Sequence, residues 1–260
     1  MIKDEFNKEY QVYYNDVDQR KRLYPDKLLE YFADSNLNHV KQKNLSIEDI
    51  LDRGYTYMIQ KYQVDFKKPI YLDEKITIAA GLSAVTSSNL HRSAVAYDSE
   101  GKLVATSRGL VFIVDTKSRK SVPIPDFVYS SLNISSPMEK PFPFERIGEV
   151  SNTDYIKEVP VLYRDLDLNN HVTNSKYINW ALESLPRNFI LENFLNRTRI
   201  LYMREVFYGD VLTLKSQIIE KGNGEKTTLH EIINSTGTIT TRIECTWQGD
   251  RHMSYELLDN

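Results

Sequence analysis

Two stretches of this chain correspond residue for residue without a gap. VYYNDVDQRKRLYPDKLLEYFADS, residues 12–35, and VLYRDLDLNNHVTNSKYINWALES, residues 161–184, lie 149 positions apart, so Asp16 meets Asp165, Asp18 meets Asp167 and Ser35 meets Ser184. A repeat constrains the fold more than any single motif, because each copy must bury the same apolar face. In both copies an alternating run leads into a helical one. Leu29, Phe32/Ala33, Asn36/Leu37 and Val40 recur at helical spacing in the first, as do Tyr177, Trp180/Ala181 and Ser184/Leu185 in the second.

The segments C-terminal to the two helices also correspond. YTYMIQKYQVDFKKPIYLDEKITIAAGL and RTRILYMREVFYGDVLTLKSQII read as successive strands, rich in β-branched and aromatic residues. Hairpin-like pairs come next, turning at residues 99–101 in one copy and 235–237 in the other. The expected architecture is therefore one α+β unit used twice: a first domain over residues 1–122, a Pro-rich linker over 123–150 anchored by Phe127, Phe142 and Phe144, and a second domain over 151–260. A further short helix in the first copy is expected to start at Ser46 as N-cap and to end at Gly54.

Composition removes several alternatives. With 41% hydrophobic and 27% charged residues over 260 positions, the chain can bury a core without disulfides or metals. A net charge of -3 argues against bulk nucleic-acid binding, which needs a Lys/Arg excess. The single cysteine, Cys245, excludes an intramolecular disulfide and a Cys-only zinc site. The start, MIKDEFNKEY, lacks the apolar core of a secretory signal, and no stretch has the apolar length of a membrane span, so a cytoplasmic protein with no membrane partner is expected.

The two copies share an apolar pattern but differ in chemistry. Opposite Asn169 and His171 the first copy has Arg20 and Arg22, and opposite Asn174 it has Pro25. A duplicated protein needs its core twice and its active site once, which makes DLDLNNHVTN, residues 165–174, the working half. If this stretch is extended, a period of two aims Asp167, Asn169 and His171 to one side. The helix beginning near Thr173 or Asn174 then offers free N–H groups and a positive dipole end beside His171, a place that suits an oxyanion. Ester or thioester hydrolysis also needs a base to take a proton from water. Glu205, in the apolar-flanked YMREVFYGDVL, is the candidate, expected in a strand where a sheet core would desolvate its carboxylate.

DLDLNNHVTNSKYINWALES resembles the signature D-L-D-x-N-x-H-V-N-N-x-K-Y-x-x-W-x-x-E-S of acyl-acyl carrier protein thioesterases, enzymes that terminate fatty acid synthesis. LNHVK (37–41), YMIQKYQVDF (57–66) and ATSRGLVFIVDTKSRKSVPIP (105–125) resemble other stretches of that family in the expected order. The resemblance implies two tandem hotdog domains, each an antiparallel sheet wrapped around a long helix. It implies that Asp167, Asn169, His171 and Glu205 are catalytic, and that the acyl chain lies in the N-terminal hotdog near Leu28, Phe32 and Met58. The implied partner is acyl carrier protein bearing a phosphopantetheine-linked acyl chain, with no cofactor or metal. Two departures stand out: the cysteine that plant members carry after the glutamate is Val206 here, and the first asparagine after HV is Thr173.

Bland readings stand beside these. A lone His at a loop-to-helix junction reads as a hydrogen-bonding residue, and only the neighbouring Asp and Asn change that. Glu205 by itself reads as an ion-pair partner of Arg204 or Arg242. Asp165 reads as structural because Asp16 persists in the other copy, and His39, His91, His230 and His252 read as ordinary histidines. The basic runs Arg20, Lys21, Arg22 and Lys117, Arg119, Lys120 read either as a docking surface for the acidic carrier protein or as solvated faces. An acyl-coenzyme A thioesterase, a hotdog hydratase and a non-catalytic acyl-binding protein are the alternative functions, and monomer and homodimer are both open.

Overall fold

The structure, a computed structural model, describes residues 3–134, 142–168 and 171–249. It separates into two compact units, one of residues 1–11, 28–65 and 74–146, the other of residues 12–27, 66–73 and 147–260. No helix among the described residues is long and apolar enough to cross a membrane.

The first unit contains β1 (Lys3–Gln11), most of α1 (Pro25–Lys41), α2 (Ile47–Leu51), β2 (Tyr55–Phe66), β3 (Lys75–Val85), β4 (Leu90–Asp98), β5 (Leu103–Asp115), β6 (Ser121–Val122) and α3 (Asp126–Ser131). The strand order is β1-β3-β4-β5-β2, with β6 paired to β5. Pro25 stands at the first helical position of α1, where its missing N–H costs nothing. Leu28, Leu29, Phe32, Ser35, His39 and Val40 form the buried face of that helix. Ser46 caps α2 by accepting from the Asp49 N–H at 3.2 Å, and Gly54, at φ +84°, turns the chain into β2. The core of this unit gathers Val40, Ile50, Leu82, Val85, Leu90, Val111 and Ile113, with Tyr57 and Ile59 of β2 packed on it.

Met58 lies on the face of β2 away from this core. Strand side chains alternate faces, and its neighbours Tyr57 and Ile59 take the core side, so Met58 is turned away and 38% exposed. Leu28 and Phe32 are buried as expected of the inner face of α1. The linker is also more structured than its aperiodic sequence suggests. Val128 of α3 is fully buried, Phe127 packs on Tyr55 at 5.9 Å, and the Arg108 guanidinium lies 3.6 Å from the Phe142 ring centre.

The second unit contains β7 (Tyr155–Pro160), α4 (Asn174–Glu183), α5 (Arg187–Glu192), β8 (Asn193–Tyr202), β9 (Val211–Glu220), β10 (Glu225–Ile233) and β11 (Ile239–Gly249). Its sheet runs β7-β9-β10-β11-β8, the same order as the first unit with β7, β8, β9, β10 and β11 standing for β1, β2, β3, β4 and β5. The repeat in the sequence is thus a repeat in topology. The expected long helix is shorter here: α4 ends at Glu183, because Pro186 bars the preceding residue from helical geometry and the chain restarts as α5. Inside this unit Ser184 Oγ, Ser216 Oγ and His230 Nδ1 form a buried chain, with His230 Nε2 2.8 Å from Thr228 Oγ1. Burial pushes the His230 imidazole down to about 3, so it is neutral.

Candidate active site

Residues 12–27 and 161–176 both belong to the second unit, and they close the same turn with the same bonds. Asp16 Oδ2 accepts from the Tyr13 N–H at 3.1 Å, and Asp165 Oδ2 accepts from the Leu162 N–H at 2.9 Å. The Asp18 N–H donates to the Arg22 carbonyl at 2.8 Å, and the Asp167 N–H donates to the His171 carbonyl at 2.7 Å. Each carboxylate returns the bond: Asp18 Oδ1 accepts from the Arg22 N–H at 2.9 Å, Asp167 Oδ1 from the His171 N–H at 3.2 Å. Asp167 therefore reaches His171 through the backbone. It sets the loop that carries the imidazole, as Asp18 sets its counterpart.

A second correspondence emerges from bonding rather than from the sequence offset. The Leu23 N–H donates to Ile70 O at 2.7 Å and the Val172 N–H to Val206 O at 3.3 Å. Likewise the Asp73 N–H donates to Val12 O at 3.1 Å and the Gly209 N–H to Val161 O at 3.3 Å. This registers 66–73 on 202–209 and sets Pro69 opposite Glu205. The copy without the Asn and His also lacks the acid.

Beyond these shared aspartates, the side chains on the loop differ. Arg22, 9% exposed, bonds Asp18 Oδ2 at 2.9 Å and the carbonyls of Ile190 and Asn193, while Arg20 bonds the Leu191 carbonyl. These guanidiniums tie the loop to the end of α5, so they do not offer a free basic surface; Lys21 is exposed, as are Lys117, Arg119 and Lys120 in the first unit. In the other copy His171 Nε2 lies 3.6 Å from Glu205 Oε1, and its ring meets Phe207 edge-on at 5.5 Å. Asn169 lies outside the described residues.

Glu205 is not where the sequence suggested. β8 ends at Tyr202, and Glu205 sits in the following loop with its side chain 42% exposed, so the argument for a carboxylate desolvated by a sheet core does not hold. Of the two arginines that could pair with it, Arg242 pairs with Glu149 and Glu231, and Arg204 Nη1 donates to the Met203 carbonyl. The acid faces the imidazole instead. A glutamate and a histidine at this separation can contact one water molecule.

The start of α4 lies two residues beyond His171. Thr173 occupies the N-cap position but makes no side-chain cap bond, and its carbonyl accepts from the Lys176 N–H at 2.9 Å. In the first copy Pro25, opposite Asn174, brings no N–H to the helix start. Cys245 is fully buried on β11, with Sγ 3.5 Å from Thr198 Oγ1 and burial raising its thiol to about 12, which excludes it as a nucleophile. No cluster of three potential metal ligands occurs among the described residues.

Residues 3–132 match the family model of the acyl-ACP thioesterase N-terminal domain, and residues 148–249 that of the acyl-ACP thioesterase C-terminal domain. A chloroplastic acyl-[acyl-carrier-protein] hydrolase of Cuphea viscosissima is 24% identical over 213 residues, covering 76% of this chain and 51% of its own length. The chain spans about half the length of the curated relatives it matches. Among solved structures, a Lactobacillus plantarum protein described as an oleoyl thioesterase superposes with a TM-score of 0.89 at 21% identity, covering 94% of this chain and 96% of that one. The 12:0-ACP thioesterase of Umbellularia californica superposes with a TM-score of 0.82 at 18% identity, covering 94% of each chain. At these identities the structural likeness is one of fold, and it is the α+β hotdog fold.

Proposed function

The chain belongs to the acyl-ACP thioesterase family, and from that premise we propose that it hydrolyses acyl-acyl carrier protein thioesters to free fatty acid and carrier thiol by direct attack of water. The observation that carries this reading is the approach of His171 Nε2 to within 3.6 Å of Glu205 Oε1, two residues before the start of α4.

In this mechanism Glu205 takes a proton from a water that His171 also contacts, and the water oxygen bonds to the thioester carbonyl carbon. The carbonyl electrons move onto oxygen, and the resulting oxyanion is stabilised by N–H groups at the first turn of α4. Collapse of the tetrahedral intermediate re-forms the carbonyl and breaks the C–S bond. The leaving thiolate takes the proton back from Glu205. Asn169, from its position in the sequence, helps hold the carbonyl, and Asp167 orients the loop that carries His171. Leu28 and Phe32 are kept in the proposal as acyl-chain contacts of the N-terminal unit; Met58 is not.

The test is hydrolysis by the purified protein of saturated acyl chains, from roughly eight to eighteen carbons, offered on carrier protein and separately on coenzyme A. Turnover favouring the carrier supports the proposal. Preference for coenzyme A reassigns the leaving group, and no thiol release from either panel rejects hydrolysis altogether.

A further inference from the structure

Val206 is fully buried, whereas Glu205 and Phe207 on either side of it are exposed, the alternation that puts residues two apart on one side of a chain. Both exposed side chains meet the same partner. Glu205 Oε1 lies 3.6 Å from His171 Nε2, beyond hydrogen-bond length, so this approach does not fix the plane of the imidazole. The contact with Phe207 does bear on that plane: the ring centres are 5.5 Å apart and the planes cross at 67°, an edge-to-face arrangement that aromatic pairs prefer.

The backbone under Phe207 is held in place. Its N–H donates to Asp210 Oδ2 at 3.0 Å, and its carbonyl accepts from the Asp210 N–H at 3.2 Å. Gly209, at φ +84°, completes this turn, and the Asp210 carbonyl accepts from the Val161 N–H at 2.8 Å. The Val206 carbonyl, on the other side, accepts from the Val172 N–H. Phe207 is therefore mounted on the segment that carries His171. Its side chain is nonetheless 46% exposed, so it adds little to the core; what it covers is the imidazole.

The duplicate sets the same two positions side by side, since Arg22 and Tyr71 form a β-bridge and the register of 66–73 on 202–209 puts Tyr71 opposite Phe207. The need for a ring differs. Arg22 is fixed at its far end by Asp18 and the carbonyls of Ile190 and Asn193. A histidine side chain is short, and its rotamer answers to whatever packs against its ring.

We propose that Phe207 is a positioning residue of the hydrolytic site, its ring holding the His171 imidazole in the rotamer that directs Nε2 toward Glu205. The effect on turnover rests on the proposed hydrolysis; the effect on the imidazole does not. An edge-to-face pair biases one rotamer over another by roughly two- to twelve-fold, so the ring acts on kcat rather than on substrate capture.

Two measurements test it. In hydrolysis of the best carrier-bound substrate, Phe207→Ala is expected to lower kcat by about three- to ten-fold with KM within roughly two-fold, and Phe207→Tyr, which keeps a ring, to recover most of the loss. The second measurement needs no substrate. With histidine labelled, the three-bond couplings across the His171 Cα–Cβ bond report its rotamer by NMR, the signal being assigned by its loss in His171→Gln. One rotamer is expected in the wild type and in Phe207→Tyr, and averaged couplings in Phe207→Ala. Unchanged kcat in Phe207→Ala overturns the proposal, as does a raised KM at unchanged kcat or a single rotamer kept without the ring. A wild type that hydrolyses nothing defeats the functional reading alone, and the couplings then decide what the ring does.

Discussion

Loop 16–25 and loop 165–174 are closed by the same backbone bonds and put to two uses. Both are closed by an aspartate that accepts from the N–H four residues on, at 2.9 Å in the first and 3.2 Å in the second. In the first, that fourth residue is Arg22, whose guanidinium is occupied by Asp18 and the carbonyls at the end of α5. In the second it is His171, with its ring turned to Glu205. The difference teaches how duplication separates roles: the turn is set by backbone bonds, so its outward side chains can differ, and one copy became a tie while the other presents the imidazole proposed to act in hydrolysis. Pro25 against Asn174 and Pro69 against Glu205 fall on the same division.

Substitutions that cross this division test it. Glu205→Gln is expected to have the largest effect, lowering kcat by about a thousand-fold without changing the thermal midpoint, because it removes a base on an exposed loop; steady-state hydrolysis beside a melting curve checks both halves. His171→Arg, which gives the working loop the residue of its counterpart, is expected to lower kcat about a hundred-fold while the turn still closes. A His171→Arg protein with half its activity would mean that the imbalance between the copies has been misread.

The reciprocal change acts on stability instead. Arg22→Ala leaves Asp18 and two carbonyls without their donor in a largely buried place and is expected to cost about 3 kcal/mol in urea unfolding, against less than about 1 kcal/mol for His171→Ala. Acid acts on the interior of the second unit. His230 is held neutral in the fold, with its proton affinity pushed from 6.5 down to about 3, so below pH 6.5 the unfolded chain binds the proton that the folded chain refuses. Stability is therefore full above that pH and falls as pH drops, by about 1 kcal/mol between pH 6.5 and pH 5.5 from this group, a slope that His230→Gln should flatten in urea titrations. The smallest effect is expected for Cys245→Ala, with hydrolysis within about two-fold of wild type and no inhibition of the parent by thiol reagents, since the thiol is shut in and resists ionisation.

Much of this was legible in the chain itself. The 149-residue offset carried the duplicated topology, because two copies with one apolar pattern bury one kind of face, and the strand orders of the two units agree. The turns near Gly101 and Gly237, both at positive φ, and the cap at Ser46 arise from local backbone chemistry that needs no partner. The asymmetry at residues 169–174 was the ground for expecting the chemistry in the second half. The face that Met58 takes was not legible, because a periodic strand does not announce which face is inward until its neighbours pack. Arg20 and Arg22 look like a solvated basic run because sequence cannot show that the last carbonyls of α5 accept their protons.

The chain alone determined the repeat, the α+β class and the residue types of the site, since these depend on spacing and side-chain chemistry that are fixed along the sequence. Tertiary structure alone decided that Glu205 lies beyond the end of its strand and meets His171, and that Pro69 is its counterpart. The physical reason is range: hydrophobic periodicity and capping act over a few residues, whereas an acid and an imidazole thirty-four positions apart meet only when the backbone bonds from Val172 to Val206 and from Gly209 to Val161 bring their loops together.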